Sequence, residues 1–222
     1  MSVSEPSATV ASDTVTIGFL AFPGVTALDL VGPYEVLARL PITTVIVAAN
    51  REPVRTDRGL QLIPDVGFDD CPPLDVLVVP GGPGQTRACQ DAALLSFVRE
   101  RSAAARTVAS ICTGALIVAT AGPLQGRRAA THWLARAELS RMGAIPIAQR
   151  VVRDGKFLSS GGVSAGIDSA LTLAAELMGP EAAQSIQLSI EYDPAPPFTA
   201  GSPTTAPAHI VDRLRAASRF QQ

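Results

Sequence analysis

Histidine occurs twice in 222 residues, and cysteine three times, at Cys71, Cys89 and Cys112. Two histidines are too few for a multi-histidine metal centre. Three dispersed cysteines make neither a metal-type pair nor a disulfide framework. No metal and no cofactor are therefore expected, and this cysteine usage fits a reducing, cytoplasmic compartment. Charge is sparse as well. Charged residues make up 17% of the chain, the formal net charge is -2 and the basic residues are scattered, which argues against a nucleic-acid surface. No apolar run is long enough to span a bilayer, so no membrane partner is expected. The opening "MSVSEPSATVASD" lacks the basic start and apolar core of a signal peptide. Residues 1–13 read as a flexible N-terminal tail. What the chain has in quantity is apolar side chains, 47% of it. At this length that is enough for one core-rich domain over residues 14–222.

The apolar residues fall into alternating short runs and helical patterns. "TVTIGFLAF", "ITTVIVAAN", "LDVLVVPGGPG" and "RTVAS" read as strands buried on both faces. "VTALDLVGPYEVLARL" has helical spacing, and Gly32-Pro33 is expected to break it or start a helix within it. "PVRTDRGLQLIPDVGFDD" predicts a short hairpin turning at Asp57-Arg58-Gly59. "DAALLSFVRERSAAA" is an amphipathic helix. "THWLARAELSRMG" is a helix for Thr131 to cap and Gly143 to end. "IAQRVVRDGKFLSSGG" is a hairpin with Asp154-Gly155 as its two-residue turn. "SAGIDSALTLAAELMG" is a helix for Ser164 to cap, and Pro180 begins the next one. The Pro-rich stretch 193–207 predicts an extended arm, placed either over the reactive crevice or around a partner subunit. "AHIVDRLRAASRF" closes as a short helix. This order implies an α/β three-layer sandwich, with a mostly parallel, flavodoxin-like central sheet and helices on both faces. Its reactive loops then lie at the carboxyl ends of the strands.

Cys112 stands where an apolar strand gives way to a helix, in "SICTG". A small residue precedes it by two and a glycine follows it by two. That is the spacing of a nucleophile elbow, where a sharp turn leaves room only for small side chains. The turn lifts the sulfur toward the crevice and sets it near a helix N-terminus, which favours thiolate. The alternative is a buried, inert cysteine. Cys71 and Cys89 have no such setting and read as structural.

These residues carry a resemblance. "FPGVTALDLVGPYEVL", "DVLVVPGGPG", "SICTGALIVATAG", "GRRAATHW" and "GGVSAGIDSALTLAAEL" occur in that order. Together they resemble the ThiJ/PfpI branch of the class I glutamine amidotransferase-like superfamily. Within that branch, "ALDLVGP", "SICTGA" and "EYDPAPPFTAGSP" are most similar to the isonitrile hydratases.

That resemblance implies a cysteine enzyme that hydrates a small-molecule isocyanide to an N-substituted formamide without a cofactor. It implies Cys112 as nucleophile, attacking the terminal isocyanide carbon to give a thioimidate. It places Asp29 as the acid–base group; the alternative is a helix cap. Asp29 is expected to be neutral beside a thiolate, because two anions in one desolvated crevice repel. It places Thr113 after the nucleophile, with its amide and that of Gly82 available to stabilise charge. Thr113 is otherwise a plain helix-start residue, and the glycines of "PGGPG" an ordinary tight turn. His132 is a candidate substrate-binding residue through similarity to deglycases, the alternative being a satisfied structural histidine. Trp133 reads as a core residue, the alternative being a pocket wall. Relatives are commonly homodimers, so a homodimer is expected.

Two other readings remain. One is a small-molecule sensor like the ligand domains of AraC-type regulators. Those append a helix-turn-helix region, and a chain that stops at Gln222 after one short helix and is not basic overall speaks against DNA binding. The other is a glyoxalase or deglycase, weakened because that branch usually carries glutamate where Asp29 stands.

Overall fold

A computed structural model describes residues 14–220; the expected tail, 1–13, lies outside the described residues. In chain order the elements are β1 (Thr16–Leu20), α1 (Ala27–Leu37), β2 (Thr43–Val47), β3 (Val54–Arg55), β4 (Gln61–Leu62), β5 (Val76–Val79), α2 (Gln85–Ala88), α3 (Ala92–Ala104), β6 (Thr107–Ile111) and α4 (Gly114–Thr120). Then come β7 (Arg128–Ala129), a 3-10 turn at Trp133–Ala135, α5 (Arg136–Arg141), β8 (Ile145–Pro146), β9 (Val151–Asp154), β10 (Phe157–Ser160), α6 (Ala165–Met178), α7 (Pro180–Ser189) and α8 (Ala208–Ala216).

The main sheet has the order β2-β1-β5-β6-β10-β9. Its pairs are parallel except for β9 against β10. The central strands β5 and β6 are buried along their whole length, as expected of β-branched runs covered on both faces. One group of helices packs α1 on α6 and α6 on α7; a second packs α2, α3 and α5 on α4. Both groups flank the sheet, which makes the expected α/β sandwich. Ile17, Phe19, Leu77, Ile111, Leu116 and Leu158 are among the side chains fully buried in its core.

Four local expectations are corrected. Helix α1 does not break at Gly32-Pro33; it runs through Pro33. An interior proline costs about 3 kcal/mol through its missing N–H and its ring. Burial of Leu30, Val36 and Leu37, with the Pro33 ring seated against Gly166 of α6, outweighs that cost. Thr131 does not cap the helix after it: its hydroxyl donates to the Cys112 carbonyl, and His132 Nδ1 instead accepts from Leu134 N–H at 3.3 Å. Ser164 makes no capping bond; its hydroxyl oxygen accepts from Arg150 at 3.3 Å. The β9–β10 turn is Gly155-Lys156, since Asp154 already pairs with Phe157. The hairpin at 57–59 forms as expected, with β3 antiparallel to β4.

Candidate active site

The carboxyl ends of β1, β5, β6 and β10 converge on Cys112. Strand β6 ends at Ile111, and Cys112 takes φ +56° before α4 begins at Gly114. A left-handed conformation costs an ordinary L-residue about 1–2 kcal/mol. Here the backbone is held on both sides. Cys112 N–H donates to the carbonyls of Ser160 (3.1 Å) and Gly161 (3.2 Å), and its own carbonyl accepts from Thr131 Oγ1 at 2.8 Å. The elbow spacing has a steric basis: a Cβ on Gly114 would sit 2.0 Å from the Val79 carbonyl oxygen. Ser110, two residues before the nucleophile, is buried.

Asp29 lies in the first turn of α1 and is fully buried. It is not the cap; Thr26 occupies that position. One carboxyl oxygen, Oδ2, accepts from Gly81 N–H at 3.0 Å, while the buried Oδ1 has no conventional hydrogen-bond partner among the described residues. The group that couples to this carboxyl is the Cys112 thiol. Burial pushes the carboxyl up to about 7, against the pull of the Gly81 N–H and the thiol. Burial also pushes the Cys112 thiol up, aided by Asp29 and opposed by the Thr113 N–H. Desolvation thus outweighs the helix start, the reverse of the direction expected from the turn alone. The two acids compete for protons, and their titrations belong to the pair.

Thr113 and Gly82 meet, but not as expected. Gly82 N–H donates to Thr113 Oγ1 at 2.9 Å, so that amide is already engaged and is not free for a reacting ligand. Gly82 has φ +128°, and a Cβ there would lie 2.4 Å from Thr26 N; only glycine brings this loop so close. The charge-stabilising amide that remains is the backbone N–H of Thr113, which lowers the Cys112 thiol against the push of burial.

His132 is part-buried and caps the 3-10 turn through Nδ1. Burial, together with Arg219 and Arg136, holds its imidazole below the usual range, so it is neutral near pH 7. Trp133 is not a core residue: it lines a cavity, with the Arg215 guanidinium 5.8 Å from its ring centre. Thr131 and Gly161, which bond the Cys112 backbone, line a cavity of about 210 Å³ together with Trp133 and with Gly201, Ser202 and Pro203 of the Pro-rich arm. Cys71 is buried with its thiol pushed up by burial. The Cys89 sulfur accepts from Gln85 Nε2 at 3.0 Å.

Arg219 is the site residue that sequence reading missed. Its Nη2 donates to the Gly82 carbonyl at 3.0 Å, across 137 positions of sequence. No local pattern announces a contact at that separation. Among the described residues no group of three or more His, Cys, Asp or Glu is arranged to hold a metal ion, and no helix is long and apolar enough to cross a membrane.

A family model described as the DJ-1/PfpI family matches residues 15–176. The chain belongs to the DJ-1/PfpI family. It is 54% identical over 200 residues to the isonitrile hydratase of Pseudomonas putida, covering 90% of this chain and 88% of that protein. It superposes with a TM-score of 0.90, at 39% identity, on the crystal structure of a ThiJ/PfpI family protein from Pseudomonas syringae, covering 97% of this chain and 92% of that one. It is also 30% identical over 182 residues to the HTH-type transcriptional regulator CdhR of Pseudomonas aeruginosa, but that match covers only 53% of the regulator. The ThiJ/PfpI resemblance read from the motifs therefore holds, and this DJ-1/PfpI chain carries its elbow cysteine within the matched stretch.

Proposed function

We propose that this DJ-1/PfpI protein hydrates isocyanides to N-substituted formamides, with Cys112 as nucleophile and Asp29 as the acid–base group. The observation that carries the reading is the Cys112–Asp29 pair: an elbow thiol coupled to a buried carboxyl whose Oδ1 has no conventional hydrogen-bond partner among the described residues. The 54% identity to an isonitrile hydratase supports the choice of substrate class.

The steps are additions, proton transfers and one C–S cleavage with no net change of oxidation state, so no redox partner is called for. The Cys112 proton passes to Asp29 as the sulfur attacks the terminal carbon of R–N≡C. Asp29 then delivers that proton to the same carbon, giving the thioimidate R–N=CH–S–Cys112. Thr113 N–H steadies the sulfur while it carries charge. Water adds across the C=N bond, with Asp29 as carboxylate taking a proton from it and returning it to nitrogen. The resulting R–NH–CH(OH)–S–Cys112 collapses, breaking the C–S bond. The hydroxyl proton returns to the sulfur, and R–NH–CHO leaves. Gly81 keeps Asp29 in place through Oδ2, and Thr113 Oγ1 fixes the Gly82 loop; both contacts serve positioning.

We infer a homodimer in the cytoplasm. The dimer is supported by exposed apolar side chains on two neighbouring elements: Leu28 and Val31 on α1, and Leu60 and Ile63 on and beside the β3–β4 hairpin. The hairpin is joined to the start of α1 by Asp57 N–H, which donates to the Val25 carbonyl at 3.0 Å.

The test is a turnover assay with an aliphatic isocyanide, run beside methylglyoxal and a peptide, with the formamide measured directly. Wild-type protein should form the formamide after exhaustive chelation, and Cys112→Ala should not, while Cys71→Ala and Cys89→Ala keep most of the activity. Formamide production by Cys112→Ala at the wild-type rate would overturn the mechanism. Saturable isocyanide binding without turnover would favour a sensor.

A further inference from the structure

The loop at Gly82, which bonds the residue after Cys112, is also held from the far end of the chain. Arg219 stands just beyond α8, outside the stretch 15–176 matched by the family model. The residue as a whole is solvent-accessible, yet its Nη2 is drawn onto the Gly82 carbonyl at 3.0 Å and toward Gln85 Oε1 at 3.4 Å. Both acceptors are themselves oriented. Gln85 is buried, and its Nε2 donates to the Cys89 sulfur, which leaves Oε1 for Arg219. Gly82 is fixed from its other side by Thr113, the residue after the nucleophile. Phe220 packs part-buried against the core next to Arg219 and anchors this segment.

The guanidinium has no carboxylate partner among the described residues; burial lowers it, and a charged Cys112 sulfur would raise it. A cation bonded only to neutral oxygens is not neutralised by a bonded carboxylate, so what water and salt leave of its field acts on an anion that forms nearby. We propose that Arg219 is a positioning residue for the nucleophile: it locks the Gly82 loop over the crevice and sets an unneutralised positive charge within reach of the Cys112 sulfur. The proposal deepens the hydratase reading and rests on it for turnover, but the reactivity of the thiol tests it separately.

Several other charges bear on that sulfur or its neighbours. Asp29 from α1 opposes thiolate, and Asp57 from the hairpin beyond it raises Asp29 in turn. His132 is held neutral with help from Arg136 and from Arg219 itself. Arg219 is thus the cation that favours a charged sulfur, along with the Thr113 amide.

The experiment follows alkylation of Cys112 by iodoacetamide, a neutral probe, across a range of pH, with the Cys112 peptide quantified by mass spectrometry. Arg219→Gln and Arg219→Met should slow the reaction near pH 7 by about three- to tenfold and move its pH midpoint upward. Arg219→Lys should restore most of the rate. Arg213→Gln, the same charge change on an exposed face of α8, should match wild type. Added salt should slow wild type and leave the two neutral variants unaffected, because an exposed charge is screened. Unchanged midpoints in both neutral variants overturn the proposal. So does a faster reaction at an unchanged midpoint, which would make Arg219 a cover and nothing more. A lysine variant that behaves like glutamine also overturns it. If wild type forms no formamide while the alkylation pattern holds, the hydratase reading falls and the role of Arg219 stands.

Discussion

The hydroxyl of Thr131 donates to the carbonyl of Cys112 at 2.8 Å, and both residues are buried. This bond fixes the C-terminal side of a peptide that the turn forces into the left-handed region. Thr131→Val keeps the shape and removes the donor, leaving a buried carbonyl unsatisfied. The expected loss is about 1–3 kcal/mol of stability, measured by chemical denaturation, with slower formamide production. A variant as stable as wild type would show that the turn holds without Thr131.

The strain itself can be measured at position 112. Both Cys112→Ala and Cys112→Gly remove the sulfur and should abolish turnover. Only glycine also relieves φ +56°. Cys112→Gly should therefore exceed Cys112→Ala in unfolding free energy by about 1 kcal/mol. The reverse order would mean that the surroundings, not the backbone, set the cost of this turn.

The sheet was legible because its signal is local. Val76–Val79 and Thr107–Ile111 are continuous β-branched or small runs, and only a strand covered on both faces explains them. The elbow was legible for the same reason, since Ser110, Cys112 and Gly114 are near neighbours in sequence and sterically linked. What escaped the sequence depends on separation or on burial. Arg219 reaches Gly82 across most of the chain. The upward push on the Cys112 thiol comes from desolvation, which no spacing reports. Capping failed at Thr131 because a nearby buried carbonyl competed for the hydroxyl, and His132 took the cap instead. Pro33 read as a break because propensity counts the lost bond but not the apolar face that holds α1 on α6.

The inferred dimer can be tested at its apolar patch. Ile63 is 72% exposed and Leu60 53%, so neither contributes much to the core of a single chain. Ile63→Asp places a charge that cannot be desolvated cheaply at an interface. Sedimentation velocity should show wild type as a dimer and Ile63→Asp shifted toward monomer, with little change in helical content. A wild-type monomer would leave the patch without the partner inferred here.

The last prediction concerns the proton held by Asp29. Burial moves its carboxyl from 3.8 in an open chain up to about 7 in the fold. Well below pH 3.8 both folded and unfolded chains are protonated there, and the group costs nothing. As pH rises, the unfolded chain releases the proton first and the folded chain keeps it until about pH 7. Folding therefore takes up a proton in this window, and stability falls as pH rises through it. Above pH 7 the folded carboxylate carries the whole penalty, about 4 kcal/mol for a shift of this size. Asp29→Asn cannot ionise, and its amide oxygen can still accept from Gly81. Any cost of its buried amide is independent of pH. The stability of Asp29→Asn minus that of wild type should therefore rise by up to about 4 kcal/mol between pH 4 and pH 8. The coupled thiol is removed from the comparison by repeating it in a Cys112→Ala background. Turnover of Asp29→Asn should fall by about two to four orders of magnitude, the usual worth of a positioned acid–base group. Denaturation at several pH values beside formamide assays decides the matter. A flat difference would mean that Asp29 ionises like any surface carboxyl, and near-normal turnover would take the proton relay away from it.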